Sequence, residues 1–88
     1  MSSHEPESYD WIFIEIWVET GLRIPPVLEL ICRRSDLYEI VDPRKNYQTV
    51  FSTTDYMEAV YWLTEDEYEY VDGRIIDPLY TRPDEYER

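Results

Sequence analysis

Five carboxylates fall within eight residues, Glu65, Asp66, Glu67, Glu69 and Asp72, interleaved with Tyr68 and Tyr70. Acids this dense could chelate a cation, share a proton across a cleft, or hold a basic partner by charge. Calcium needs oxygen ligands, which are plentiful here, but the spacing departs from the D-x-D-x-D-G loop that wraps the ion. A glycosidase pair must face its mate across a cleft at about 5 to 9.5 Å, and nothing in the run selects one pair over another. Electrostatic contact remains, with the tyrosines adding apolar area.

Other side chains suited to chemistry are few. His4 is the only histidine and lies in a polar lead-in. Lys45, the only lysine, follows Pro43 and Arg44 in a turn, far from the desolvated pocket that a Schiff-base lysine needs. Cys32, the only cysteine, shares a strand side with Leu28 and Leu30 and is expected to be buried as a small hydrophobe. Arg33 and Arg34 beside it are the one hint of thiolate activation. One Cys and one His cannot complete a zinc set of three or four ligands. Gly21 and Gly73, the only glycines, cannot build a dinucleotide or P-loop cradle. The sequence thus predicts no catalytic residue, no metal site, no cofactor and no enzymatic activity.

Charge narrows the partners. Twenty acids against eight bases give a formal net charge of -12 over 88 residues. Met1 to Thr54 holds nine acids and five bases, Asp55 to Arg88 eleven acids and three bases, so the second part carries most of the field. Such a balance repels phosphate backbones and anionic lipid, which argues against direct nucleic-acid or membrane binding and for a basic or neutral protein partner. With 43% hydrophobic residues and fourteen aromatics, the chain has apolar mass enough to offset its ordering entropy as one small domain. A lone cysteine allows no internal disulfide, the first ten residues are polar and acidic, and no apolar run approaches the ~20 residues that span a bilayer. A cytoplasmic setting is expected.

Residues 1 to 8 read as a flexible lead-in, 9 to 78 as a single domain, and 79 to 88 as a flexible tail. Trp11 to Thr20 alternates as a strand does. After Gly21, Pro25 and Pro26 comes a second strand over Val27 to Arg34. Ser35 and Asp36 turn into a third at Leu37 to Val41, and Asp42 to Asn46 turn into a fourth at Tyr47 to Ser52. Tyr56, Ala59, Val60 and Leu63 then hold the spacing of an amphipathic helix, with Thr53 or Thr54 able to cap its start. The expected fold is α+β: a four-stranded antiparallel meander followed by one helix packed on one sheet face. A break is expected near Thr64, where Thr64 and Glu67 have the capping-box spacing for a new helical turn. Asp72-Gly73 reads as a turn, with Arg74, Ile75 and Ile76 able to add a short strand.

Sorting the strands by alternation places Ile12, Ile14, Ile16 and Val18 with Leu28, Leu30, Cys32, Tyr38 and Ile40, the face the helix is expected to cover. The opposite face collects Trp11, Phe13, Glu15 and Trp17 with Glu29, Ile31, Arg33 and Val41. One helix cannot cover both. Either the segment from Ile75 to Tyr80 folds over the aromatics, or they meet a partner or a second copy of the chain. The candidate contact residues are therefore Trp11, Phe13, Trp17 and Arg33 on the sheet. At the acidic helix end they are Glu65, Asp66, Glu67, Tyr68, Glu69 and Tyr70.

The stretch Tyr38 to Asp42, with Pro43, Asn46 and Tyr47, then Glu65 to Tyr68 and Gly73-Arg74, resembles a group of small, acidic, uncharacterised cyanobacterial proteins. The resemblance covers the middle and later part of the chain and implies a soluble cytoplasmic setting, with no activity and no functional residue to carry over. The residues themselves favour a non-catalytic protein interaction module: an adaptor, inhibitor or assembly factor. A second expectation is DNA mimicry, which needs fixed rows of acids because duplex DNA presents one charge per about 1.7 Å of axis. A third is a small enzyme or enzyme subunit.

Overall fold

The structure, a computed structural model, describes residues 11–78. The expected lead-in at 1 to 8 and tail at 79 to 88 lie outside the described residues. Five strands and one α-helix follow in the order β1 (Trp11–Val18), β2 (Val27–Arg33), β3 (Tyr38–Asp42), β4 (Gln48–Thr53), α1 (Tyr56–Glu65) and β5 (Glu69–Ile76). All pair antiparallel in one sheet of order β4-β3-β2-β1-β5. The expected meander of four strands and a following helix is present, but the chain does not stop there. Helix α1 leaves one edge of the sheet and delivers a fifth strand to the other edge, where it pairs with β1.

The turns obey local chemistry. Asp36 takes a left-handed φ of 66° between β2 and β3, and its N–H donates to the Arg33 carbonyl. A 3-10 turn at Pro43–Lys45 follows β3, with proline where no N–H is required and the Asp42 carboxylate accepting from the Arg44 N–H at 2.9 Å.

Register decides which side of each strand meets the helix. Phe13 pairs with Cys32, Glu15 with Leu30 and Trp17 with Leu28, and Leu30 and Cys32 in turn pair with Ile40 and Tyr38. Directly paired residues share a side, so Phe13, Glu15 and Trp17 lie with Leu28, Leu30 and Ile40 under α1. This corrects the sequence sorting, which gave that place to Ile12, Ile14, Ile16 and Val18. Of those, only Ile12 is buried, in a cluster with Phe13 and Cys32 where the register shifts. Alternation divides a strand into two sides but does not say which side faces inward, and a one-residue slip exchanges them.

The core forms around Trp17, Leu28, Leu30, Ile40, Ala59 and Leu63, with Phe51, Trp62 and Tyr68 packed against it. Leu30, Ile40, Ala59 and Leu63 are fully inaccessible. Burying a Leu or Ile contributes about 1.5 to 3 kcal/mol, so these few side chains carry much of the docking of a helix too short to persist alone. Trp62 stacks on Phe51 with ring centroids 5.2 Å apart.

Both helix ends correct the sequence reading. The N-cap is Asp55, whose carboxylate accepts from the Met57 N–H at 3.1 Å, while the expected cap Thr53 closes β4 and bonds the Asp55 N–H. The helix does end near Thr64, but no new turn begins. The Tyr68 N–H donates to the Leu63 carbonyl at 3.0 Å and the Glu67 N–H to the Thr64 carbonyl at 2.9 Å. That is a Schellman pair, with Glu67 at φ 66° in the left-handed place that glycine usually fills. Tyr68 packs on the Leu63 cluster, the apolar contact that accompanies such an ending.

Candidate functional site

The two sides of the sheet have different chemistry. Under the helix sits a carboxylate: Glu15 is 1% exposed. Its Oε1 accepts from the Trp17 indole N–H at 3.1 Å, and its Oε2 from the Tyr56 hydroxyl at 2.8 Å. Arg74 donates to the same Oε2 from Nε at 3.1 Å and from an Nη at 2.6 Å. A buried carboxylate is tolerable only when its lone pairs are filled and its charge is met, and here both conditions hold.

Arg74 reaches Glu15 through an irregularity in β5. Ile14 pairs with Ile75 and Ile16 with Val71, so residues 72 to 74 together oppose Glu15. Gly73 holds φ 109° in this bulge. Bulges re-aim side chains, and this one sets the Arg74 guanidinium 3.7 Å from the Phe13 ring centroid. Asp72-Gly73 is therefore a bulge inside a strand, not the turn expected from its sequence.

The network also shifts proton affinities. Burial, then the hydrogen bond and charge of Glu15, push the Tyr56 hydroxyl up to about 12, with Arg74 opposing. The Arg74 guanidinium is held further toward its charged form: burial works against it, and Glu15 and Tyr56 outweigh burial. Strand, helix and edge strand are thus tied at one point. No cavity opens beside it among the described residues.

The other side of the sheet lacks a covering helix among the described residues. Ile14, Ile16 and Val18 of β1 lie there beside Val27, Glu29 and Ile31 of β2. Val71 and Ile75 of β5 extend it, 40% and 50% exposed. Ile14, Ile16, Val18 and Val27 are half-buried, whereas Ile31 and Val41 are buried. Charge on this side is sparse. Arg33 and Glu39 pair with each other at 3.0 Å. Glu29 stands among Ile16, Val41, Val27 and Ile31, and burial raises its carboxyl above the ordinary carboxylate range.

The predicted contact residues separate accordingly. Phe13 and Trp17 are buried under the helix, 8% and 5% exposed, so they are core and offer no docking surface. Trp11 is half-buried at the start of β1, opposite Arg33. Glu65, Asp66, Glu67 and Glu69 are exposed at the corner where α1 turns into β5. Tyr68 is half-buried in the core margin, and Tyr70 is exposed with its ring 5.5 Å from that of Trp17. Sequence reasoning missed Tyr56 and Arg74 as partners of Glu15. The available signal was a lone acid between Phe13 and Trp17 in an otherwise apolar strand, which demands a cation within reach.

No family model, no curated protein and no solved structure matches this chain. The fold observed is an open five-stranded antiparallel sheet with one helix on one side. No helix among the described residues is long and apolar enough to cross a membrane.

Proposed function

We propose that this protein is a small non-catalytic interaction module, an adaptor, inhibitor or assembly factor, that holds a protein partner against the helix-free side of its sheet. The observation that carries the reading is the aliphatic strip Ile14, Ile16, Val71 and Ile75, left without a covering helix among the described residues. A contiguous apolar patch bordered by polar groups is uncommon on a monomer and has the layout of a contact surface. This moves the contact from the aromatic side, where Phe13 and Trp17 are core, to the aliphatic side. The acids at the α1 to β5 corner add long-range attraction for a basic protein and speed encounter.

The test is recovery of one stoichiometric protein on the intact chain at moderate salt, compared between Ile75→Asp and Val71→Asp on this side and Tyr61→Ala on the helix. Tyr61 is 62% exposed, so its loss leaves the fold alone. Loss of the partner with the first two variants and retention with the third supports the reading. Retention by all three ends it.

A second reading draws on the same corner. The Schellman ending and the start of β5 order the backbone that carries Glu65, Asp66, Glu67 and Glu69, which supports a reading in which these acids stand in rows as DNA mimicry requires. A target that binds this chain and DNA simultaneously excludes it.

A further inference from the structure

We infer that the docked partner sets a lysine or arginine, surrounded by aliphatic side chains, against Glu29 at the middle of the helix-free side. The inference rests on that side being the docking surface and adds the chemistry of what docks. Glu29 pairs in register with Ile16 on one flank and Val41 on the other, and Val27 and Ile31 lie on the same side of its own strand. Arg33 and Glu39 on this side already neutralise each other. Among the described residues Glu29 has no such neighbour, and desolvation alone shifts it.

Three occupants fit an aliphatic strip, and the charge selects among them. A purely apolar segment would bury the Glu29 carboxylate without a counter-charge, which interfaces avoid. A second copy would bring two chains of formal charge -12 together and crowd two Glu29 carboxylates into one apolar layer. A basic protein segment with one cation inside its apolar stripe satisfies both the strip and the acid. It is also drawn by the exposed acid Glu69, which pairs in register with Val18 on the same side. Lysine and arginine suit the place because their hydrocarbon stems cover apolar surface while the charged end reaches the carboxylate.

The experiment uses the isotope-labelled full chain and two designed amphipathic helical peptides of about 18 residues, long enough to hold helix. They are identical except for lysine or norleucine at the centre of the apolar stripe. The expected result is amide shifts confined to Ile16, Glu29, Val71 and their neighbours, with the lysine peptide at least about tenfold tighter. In Glu29→Gln the two peptides should differ by less than about threefold. Equal affinities on the intact chain, with shifts on this side, overturn the cation inference while leaving the docking reading intact. Shifts elsewhere, or dimerisation of the chain through this side without peptide, overturn both.

Discussion

Tyr56, on the first turn of the helix, donates its hydroxyl to Glu15 in the interior strand β1 at 2.8 Å, and through that carboxylate the helix is tied to Arg74 on the edge strand. The contact spans 41 residues of sequence and fixes which side of the sheet the helix covers. The helix-free side is aliphatic from Ile14 to Val18 because this pairing holds Phe13, Trp17 and the buried acid beneath the helix.

Removing the Glu15 charge should be among the most damaging single changes in the domain. Glu15→Gln leaves Arg74, whose side chain is 34% exposed, facing a neutral amide, with an expected loss of about 1.5 to 3 kcal/mol of unfolding free energy. Tyr56→Phe removes one hydrogen bond to a charged acceptor and should cost about 1.5 to 3 kcal/mol. Urea unfolding followed by the fluorescence of Trp17 and Trp62 measures both. An effect under about 0.5 kcal/mol for Glu15→Gln, the size expected of an ordinary surface change, would contradict the network.

The raised Tyr56 hydroxyl makes stability fall on the alkaline side. In the unfolded chain the phenol ionises near pH 10, while in the fold it keeps its proton to about 12. Between those values the unfolded state holds fewer protons, so stability drops as pH rises, by at most about 1.4 kcal/mol per pH unit for this one group. Tyr56→Phe should flatten the decline between pH 10 and 12. Chemical denaturation across that window reads it.

Glu67 occupies the left-handed position of the Schellman ending at φ 66°, with a negative charge at the negative end of the helix. Glu67→Gly removes both penalties and should stabilise the fold by about 1 kcal/mol. Gly73 is the converse case. Its φ of 109° disfavours any L side chain although a Cβ would meet nothing within 4 Å. Gly73→Ala should therefore cost about 1 to 2 kcal/mol through backbone strain alone. Thermal unfolding of the two variants should move in opposite directions.

Much of the meander was legible. Alternation marked β1, the proline pair and the Ser35-Asp36 and Pro43 turns separated the strands, and the spacing of Tyr56, Ala59 and Leu63 marked the helix. The inward side of β1 was not legible, because Ile14 and Ile16 read as core at least as strongly as Trp17 does. The decision belongs to the pairing of Trp17 with Leu28 and to the partners that Glu15 finds on α1 and β5, both long-range. β5 was legible only at Arg74 to Ile76, since its acids and Gly73 suppress the strand signal. The candidate contact surface moved with the side of β1.

Glu29 should carry a stability cost that depends on pH. Its carboxyl is raised by burial, so the fold favours the protonated acid and bears a penalty at neutral pH that fades as pH falls through the raised value. Asp42 opposes it. Burial pushes that carboxyl up, but its hydrogen bonds from Arg44 and the charges of Arg44 and Lys45 hold it below the ordinary range. Its contribution is present at neutral pH and is lost as pH falls through the lowered value. Glu29→Gln should be more stable than the wild type at pH 7 and equal to it in acid, as urea titrations at the two pH values would reveal. A carboxylate retained at such a cost is what a docking contact predicts.

The most direct measurement is photo-crosslinking in the cells that make the protein, with benzoylphenylalanine placed singly at Val71 or Ile75 on the helix-free side, or at Met57 or Tyr61 on the helix. All four side chains are exposed, so each probe is presented to whatever binds. The account predicts one discrete adduct with another protein from Val71 and Ile75 and none from Met57 and Tyr61. Adducts from the helix positions alone would contradict it.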